Sequence, residues 1–144
     1  MKTQEFLTQL QHDRIVAAIA EAEAKSSGEI RVFVAKMSVA DPVAAAREQF
    51  LKLGMEKTRE RNGVLIFIAP KSQNFAVLGD EGVHQKCGDE FWQELVRGIG
   101  AAFKQAEFTA GVVHAVEKTG TLLARFFPRS PEDQNELPNK VEQG

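Results

Sequence analysis

The sequence predicts an α/β protein, a small mixed β-sheet with helices on both faces that together form an α/β/α sandwich. Three observations point there. Two runs, Glu29 to Met37 and Val64 to Ala69, are apolar on both alternating faces at their centres, as strands covered on two sides are. A helical stretch headed by Asp41-Pro42 separates them, so the pair reads as a βαβ unit with parallel strands. Further stretches with apolar residues at helical spacing precede and follow these runs, enough to clothe a sheet on two sides.

Each element has its own local warrant. His12 to Lys25 carries Ile15, Ile19 and Ala22 on one helical face and stops at Ser26-Ser27-Gly28. Phe6, Leu7 and Leu10 extend that helix or form a turn before it. Asp41 supplies an N-cap and Pro42 a pre-set first helical position; Val43, Ala46, Phe50 and Leu53 form the inward stripe, which Gly54 closes. Asn62-Gly63 turns the chain into Val64 to Ala69, and Pro70 to Gln73 is the length of a hairpin loop, with Asn74 to Leu78 returning. Gly79 to Asp89 reads as an acidic, glycine-kinked loop. Asp89 then caps a helix that sets Trp92, Leu95, Ile99 and Phe103 against the sheet of Val32, Val34, Leu65 and Phe67. A last helix from about Thr109 to Phe126 aligns Val112, Val116, Thr119 and Leu123. The domain is therefore expected over residues 1–127. Residues 128–144 place Pro128, Pro131 and Pro138 among acidic and amide side chains, which predicts an extended or disordered tail with little hold on the domain.

Composition narrows the function classes. A chain of 144 residues fits one domain that buries its own core. A formal net charge of -2 makes no electrostatic case for nucleic acid. The single cysteine, Cys87, excludes an internal disulfide and a multi-cysteine zinc cage. The first ten residues lack the apolar core of an export signal, and the longest apolar run, Val64 to Pro70, is far short of the ~20 residues that span a bilayer. A cytoplasmic protein without a transmembrane segment is expected. There is no tyrosine, no G-x-S-x-G elbow, no GxxxxGK[ST] loop and no H-E-x-x-H pair, so no organic cofactor is expected and the familiar hydrolase and nucleotide routes have no support.

The chemistry concentrates between Arg61 and Trp92. Asp80, Glu81 and Asp89 offer carboxylate oxygens beside Gly79, Gly82 and Gly88, a set suited to a hard cation such as Ca2+ or Mg2+. Against this stands the plainer reading that Asp89 caps its helix while Asp80 and Glu81 are solvated turn residues. His84 follows Asp80 by four residues, so one helical turn brings them together as an oriented imidazole or as a metal ligand. Arg59 and Arg61 have the fork geometry that suits phosphate oxygens, although Glu56 and Glu60 interleave with them and solvated ion pairs are the ordinary outcome. Cys87 has no partner cysteine or relay and reads as incidental.

The segments Ser27-Gly28-Glu29-Ile30-Arg31-Val32, Arg61 to Ala69 (RNGVLIFIA), Gly79-Asp80-Glu81-Gly82 and Phe108…Gly111 occur in the order and spacing of the TPM-domain family, which the chain resembles over roughly residues 13 to 125. The resemblance implies a compact α/β/α sandwich. It also implies links to acid phosphatase activity, calcium binding and the assembly or repair of membrane complexes. Two functions follow as expectations. One is a module that binds a divalent cation or a protein partner through Asp80 to Asp89 in the assembly or maintenance of larger complexes. The alternative is a metal-assisted acid phosphatase, in which a metal on Asp80, Glu81 or Asp89 polarises a phosphate monoester, Arg59 or Arg61 holds its charge and His84 protonates the leaving group.

Overall fold

The computed structural model describes residues 1–129 and 141–144. Along the chain run α1 (Thr3–Gln9), α2 (His12–Ala24), β1 (Glu29–Val34), α3 (Pro42–Lys52), β2 (Gly63–Ala69), β3 (Asn74–Gly79), α4 (Glu81–Lys104), α5 (Phe108–Phe126) and β4 (Val141–Gln143). The sheet order is β3-β2-β1-β4, with β1 parallel to β2 and β4, and β3 antiparallel to β2. This is the expected mixed sheet, with helices on both faces.

Strand alternation divides the interior into two cores. Ile30, Val32, Val34, Val64, Ile66 and Ile68 face a larger core with Ile15, Ile19, Leu95, Ile99, Val116 and Leu123 from α2, α4 and α5. Phe33, Leu65, Phe67 and Ala69 face the other way, onto Ala46 and Phe50 of α3 and onto Met55. Each fully buried aliphatic side chain contributes about 1.5–3 kcal/mol relative to exposure. β1 and β2 are buried at every position, which explains runs that are apolar on both faces.

Several expectations change at this level. Leu65 and Phe67 lie on the face away from α4, because residues an odd number of places from Ile66 point to the opposite side. Leu95 and Ile99 are buried as expected. Trp92 is half-buried, its ring lying where a Cβ on Gly79 would have to go. Val43 is exposed, since α3 turns Ala46 and Phe50 inward instead. Gly79 to Asp89 is mostly helical and not a loop: a first helical segment begins at Glu81 under an Asp80 cap, Gly88 (φ 73°, ψ 179°) breaks it, and Asp89 follows the break at the start of the segment that carries Trp92, Leu95 and Ile99.

The tail is described only at its two ends. Leu137 and most of the expected tail lie outside the described residues. Ser26 bridges Pro128, and β4 joins the sheet through the register Val32↔Val141, Phe33↔Glu142 and Val34↔Gln143. Gly144 continues the ladder, donating to the Val34 carbonyl (3.2 Å) and accepting from the Lys36 amide (2.9 Å). The physical reason is that β1 is buried, and buried amides of an edge strand need partners. Below β4 that need is met by side chains. The Ile30 amide donates to Glu23 Oε2 (2.7 Å), and the Ile30 carbonyl accepts from the Arg31 guanidinium.

Arg31, only 1% exposed, lies between two buried carboxylates, 3.0 Å from Glu23 Oε2 and 3.4 Å from Glu29 Oε2. Burial raises the Glu23 pKa above its usual 4.5, outweighing the lowering by the Ile30 amide and by Arg31. A carboxyl whose folded-state pKa is raised contributes stability that is fully present below the unfolded value of 4.5. That contribution is lost as the pH rises through the raised folded value. Glu23→Gln is therefore expected to flatten the pH dependence of stability above pH 4.5. Urea midpoints of the wild type should gain on the variant as the pH falls, and parallel curves would contradict the assignment.

Candidate functional site

Asp80 stands where β3 ends and α4 starts. Its amide donates to the Gly63 carbonyl (2.9 Å), and its carboxylate Oδ1 accepts from the Glu81 amide (2.8 Å), the N-cap bond that starts α4. Both oxygens are also gripped by Arg61, Nε to Oδ2 at 2.7 Å and an Nη to Oδ1 at 2.9 Å. This is the bidentate fork that makes arginine–carboxylate pairs geometrically specific. The hydrogen bond from Asp80 and its negative charge raise the Arg61 pKa above the usual value, so the guanidinium stays charged.

The backbone shares in this grip. Arg61 adopts φ 52°, a left-handed conformation that non-glycine residues hold only where their surroundings enforce it. That conformation aims its carbonyl at the Gly82 amide (2.9 Å). Gly82 packs so closely there that a Cβ would stand 2.6 Å from the Arg61 carbonyl oxygen and nearer still to that of Glu60. The RNG and GDEG segments, nineteen positions apart at Arg61 and Asp80, thus form one latch between the start of β2 and the start of α4.

The remaining expected site residues are placed differently. Glu81 is 64% exposed in its side chain and lies 3.6 Å from an Arg61 Nη, while Asp89 is 82% exposed. His84 and Asp80 are one turn apart, with the His84 amide on the Asp80 carbonyl, yet their side chains do not pair as expected. Instead His84 Nδ1 accepts from Trp92 Nε1 (3.1 Å), which puts the neutral ring's proton on Nε2, 3.6 Å from Asp89 Oδ1. Arg59 is exposed on the turn before β2. Burial, and then the Asp89 charge, push the Cys87 thiol pKa up, the opposite of an activated nucleophile.

The donor set does not close around a cation. Among the described residues no three His, Cys, Asp or Glu side chains group so as to hold a metal ion. Both Asp80 oxygens are committed to Arg61, and the positive end of α4 disfavours a cation at Asp80 and Glu81. Sequence reasoning missed the Arg61–Asp80 pairing. Its signal was present in two glycine-flanked charged motifs of opposite sign, one at the start of a strand and one at the end of its neighbour.

A second polar cluster escaped notice altogether. Asn62 Nδ2 donates to Ser27 Oγ (3.0 Å) and to Glu60 Oε2 (3.2 Å), and Ser27 also donates to Glu60. These residues tie the turn before β2 to the turn before β1.

A strand-to-helix latch on a four-stranded α/β sandwich defines the class. The chain matches the TPM domain model over residues 1–122 and belongs to that family. It is similar to the BA42 protein of the psychrophilic bacterium Bizionia argentinensis, known from an NMR structure. The two are 40% identical over 92% of each chain, with a TM-score of 0.85. The N-terminal domain of the cg2496 protein from Corynebacterium glutamicum matches at 18% identity over 77% of this chain and 70% of that one, with a TM-score of 0.59, a likeness of fold alone. Among curated proteins none matches this chain. Among the described residues no helix is long and apolar enough to cross a membrane.

Proposed function

We propose that this TPM domain is a non-catalytic binding module that presents the Asp80–Asp89 segment to a protein partner in the assembly or maintenance of a larger complex. The observation that carries this reading is the Arg61–Asp80 latch. It takes the one buried carboxylate of the segment out of chemistry and fixes the start of α4, where Glu81 stands exposed; Asp89, also exposed, follows the Gly88 break. Exposed carboxylates on a rigid element suit a basic surface on the partner, where charge sets orientation and association rate.

The test combines a residue-resolved NMR titration with an assay of p-nitrophenyl phosphate. A lysine-rich peptide is expected to shift amides from Glu81 to Asp89 saturably, and the Glu81→Gln/Asp89→Asn double variant to lose that response. No ester turnover above background is expected with or without Mg2+, Ca2+ or Mn2+. Saturable shifts at the same amides on adding Ca2+ or Mg2+ alone would replace the partner by a cation. Turnover that disappears in Asp80→Asn, with that variant still folded, would overturn the reading in favour of the metal-assisted phosphatase.

A further inference from the structure

At the opposite end of β2 from the latch, the structure opens a cavity of about 520 Å3 beside Ile68 and Ala69, walled by α1, β3, α4 and α5. That volume falls within the ~300–1,000 Å3 of small-ligand sites. It also lies beyond the carboxyl end of a parallel strand, where open α/β sheets take their ligands. Four phenylalanines line it. Phe6 packs on Phe103 (5.9 Å between ring centres) and on Phe108 (5.0 Å), and Phe103 in turn meets Phe75 (5.5 Å) and Phe108 (5.4 Å) edge-on.

Two further features give the cavity a chemical polarity. Lys104 is the only charged side chain of the lining, it is exposed, and no carboxylate among the described residues pairs with it. Gly100 lies in the lining one helical turn before Lys104. A Cβ there would meet only the Phe75 Cζ, at an ordinary 3.7 Å. A mid-helix glycine is less favourable than alanine there, because it loses more backbone freedom on folding. Packing does not require this one; what the missing side chain leaves is space between Phe75 and α4.

We propose that this cavity binds a medium-chain fatty carboxylate, its alkyl chain among the phenylalanine rings and its carboxylate at Lys104. The aromatic walls supply apolar burial for the chain. The lysine at the mouth selects an anion over a neutral or cationic head, and a chain of about ten carbons suits a cavity of this size. The site is separate from the Asp80–Asp89 segment and is independent of what that segment binds.

Decanoate is the probe, titrated below its micelle concentration into 15N-labelled protein. Saturable shifts at Phe75, Gly100, Phe103 and Lys104 are expected. Gly100→Leu fills the space from a position where a Cβ meets only the Phe75 Cζ at 3.7 Å, so it should stay folded while losing decanoate binding. Lys104→Gln should weaken binding about five-fold, the upper end for an exposed ion pair. Decanol and decyltrimethylammonium should bind the wild type more weakly than decanoate; decanol should not distinguish it from Lys104→Gln, and decyltrimethylammonium should bind Lys104→Gln more tightly than the wild type. Shifts that never saturate, a folded Gly100→Leu that binds decanoate as the wild type does, or decyltrimethylammonium binding as tightly as decanoate would each overturn the proposal.

Discussion

Arg31→Ala is expected to lower the unfolding free energy by about 3–5 kcal/mol, the cost of removing one partner from a buried charge group. The reason is what stays behind. Glu23 and Glu29 remain buried at the edge of β1 without the guanidinium between them, and the Ile30 carbonyl loses its side-chain donor. Urea denaturation at pH 7 checks the size. Adding Glu23→Gln to Arg31→Ala should return part of the loss, because one fewer uncompensated charge is then buried. A cost below about 1 kcal/mol, or no recovery in the double variant, would show that β1 is not held at this edge by the charge triad.

Gly82→Ala is expected to cost about 3 kcal/mol, the upper end for overpacking, because the atoms a new methyl group meets are backbone carbonyls that cannot swing aside. Relieving the clash means moving Gly82 away from the Arg61 carbonyl and so opening the latch. Amide exchange should therefore accelerate first in residues 81–84, ahead of the rest of α4. Gly98→Ala is the matched control. Nothing lies within 4 Å of a Cβ there, and the substitution should stabilise by about 0.5–1 kcal/mol from helix propensity alone. Equal effects at the two glycines would mean that the close approach at Gly82 does not constrain the fold.

Much of the fold was legible in the chain because it rests on local periodicity. Ile30 to Val34 and Val64 to Ala69 announce strands covered on both faces, Asp41-Pro42 announces α3, and the spacing of Val112, Val116, Thr119 and Leu123 announces α5. Asp80 was harder to read. Both Asp80 and Asp89 suit a helix cap, and the glycines between them suggest a loop as readily as a helix with one kink at Gly88. β4 left almost no local signal, since three residues beyond a proline-rich stretch carry no pattern of their own.

The sequence by itself determined the class: an α/β sandwich of the TPM type, with its candidate site residues lying between Arg59 and Asp89. Only the tertiary structure decided what those charges do. Periodicity describes which face of its own element a residue occupies, whereas pairing Arg61 with Asp80, or Arg31 with Glu23 and Glu29, depends on where two elements come to lie beside each other. A carboxylate that meets an arginine at 2.7 Å becomes part of a latch, and one left facing water remains free to meet a partner. The chain reads the same in either case, because the difference is a distance across space.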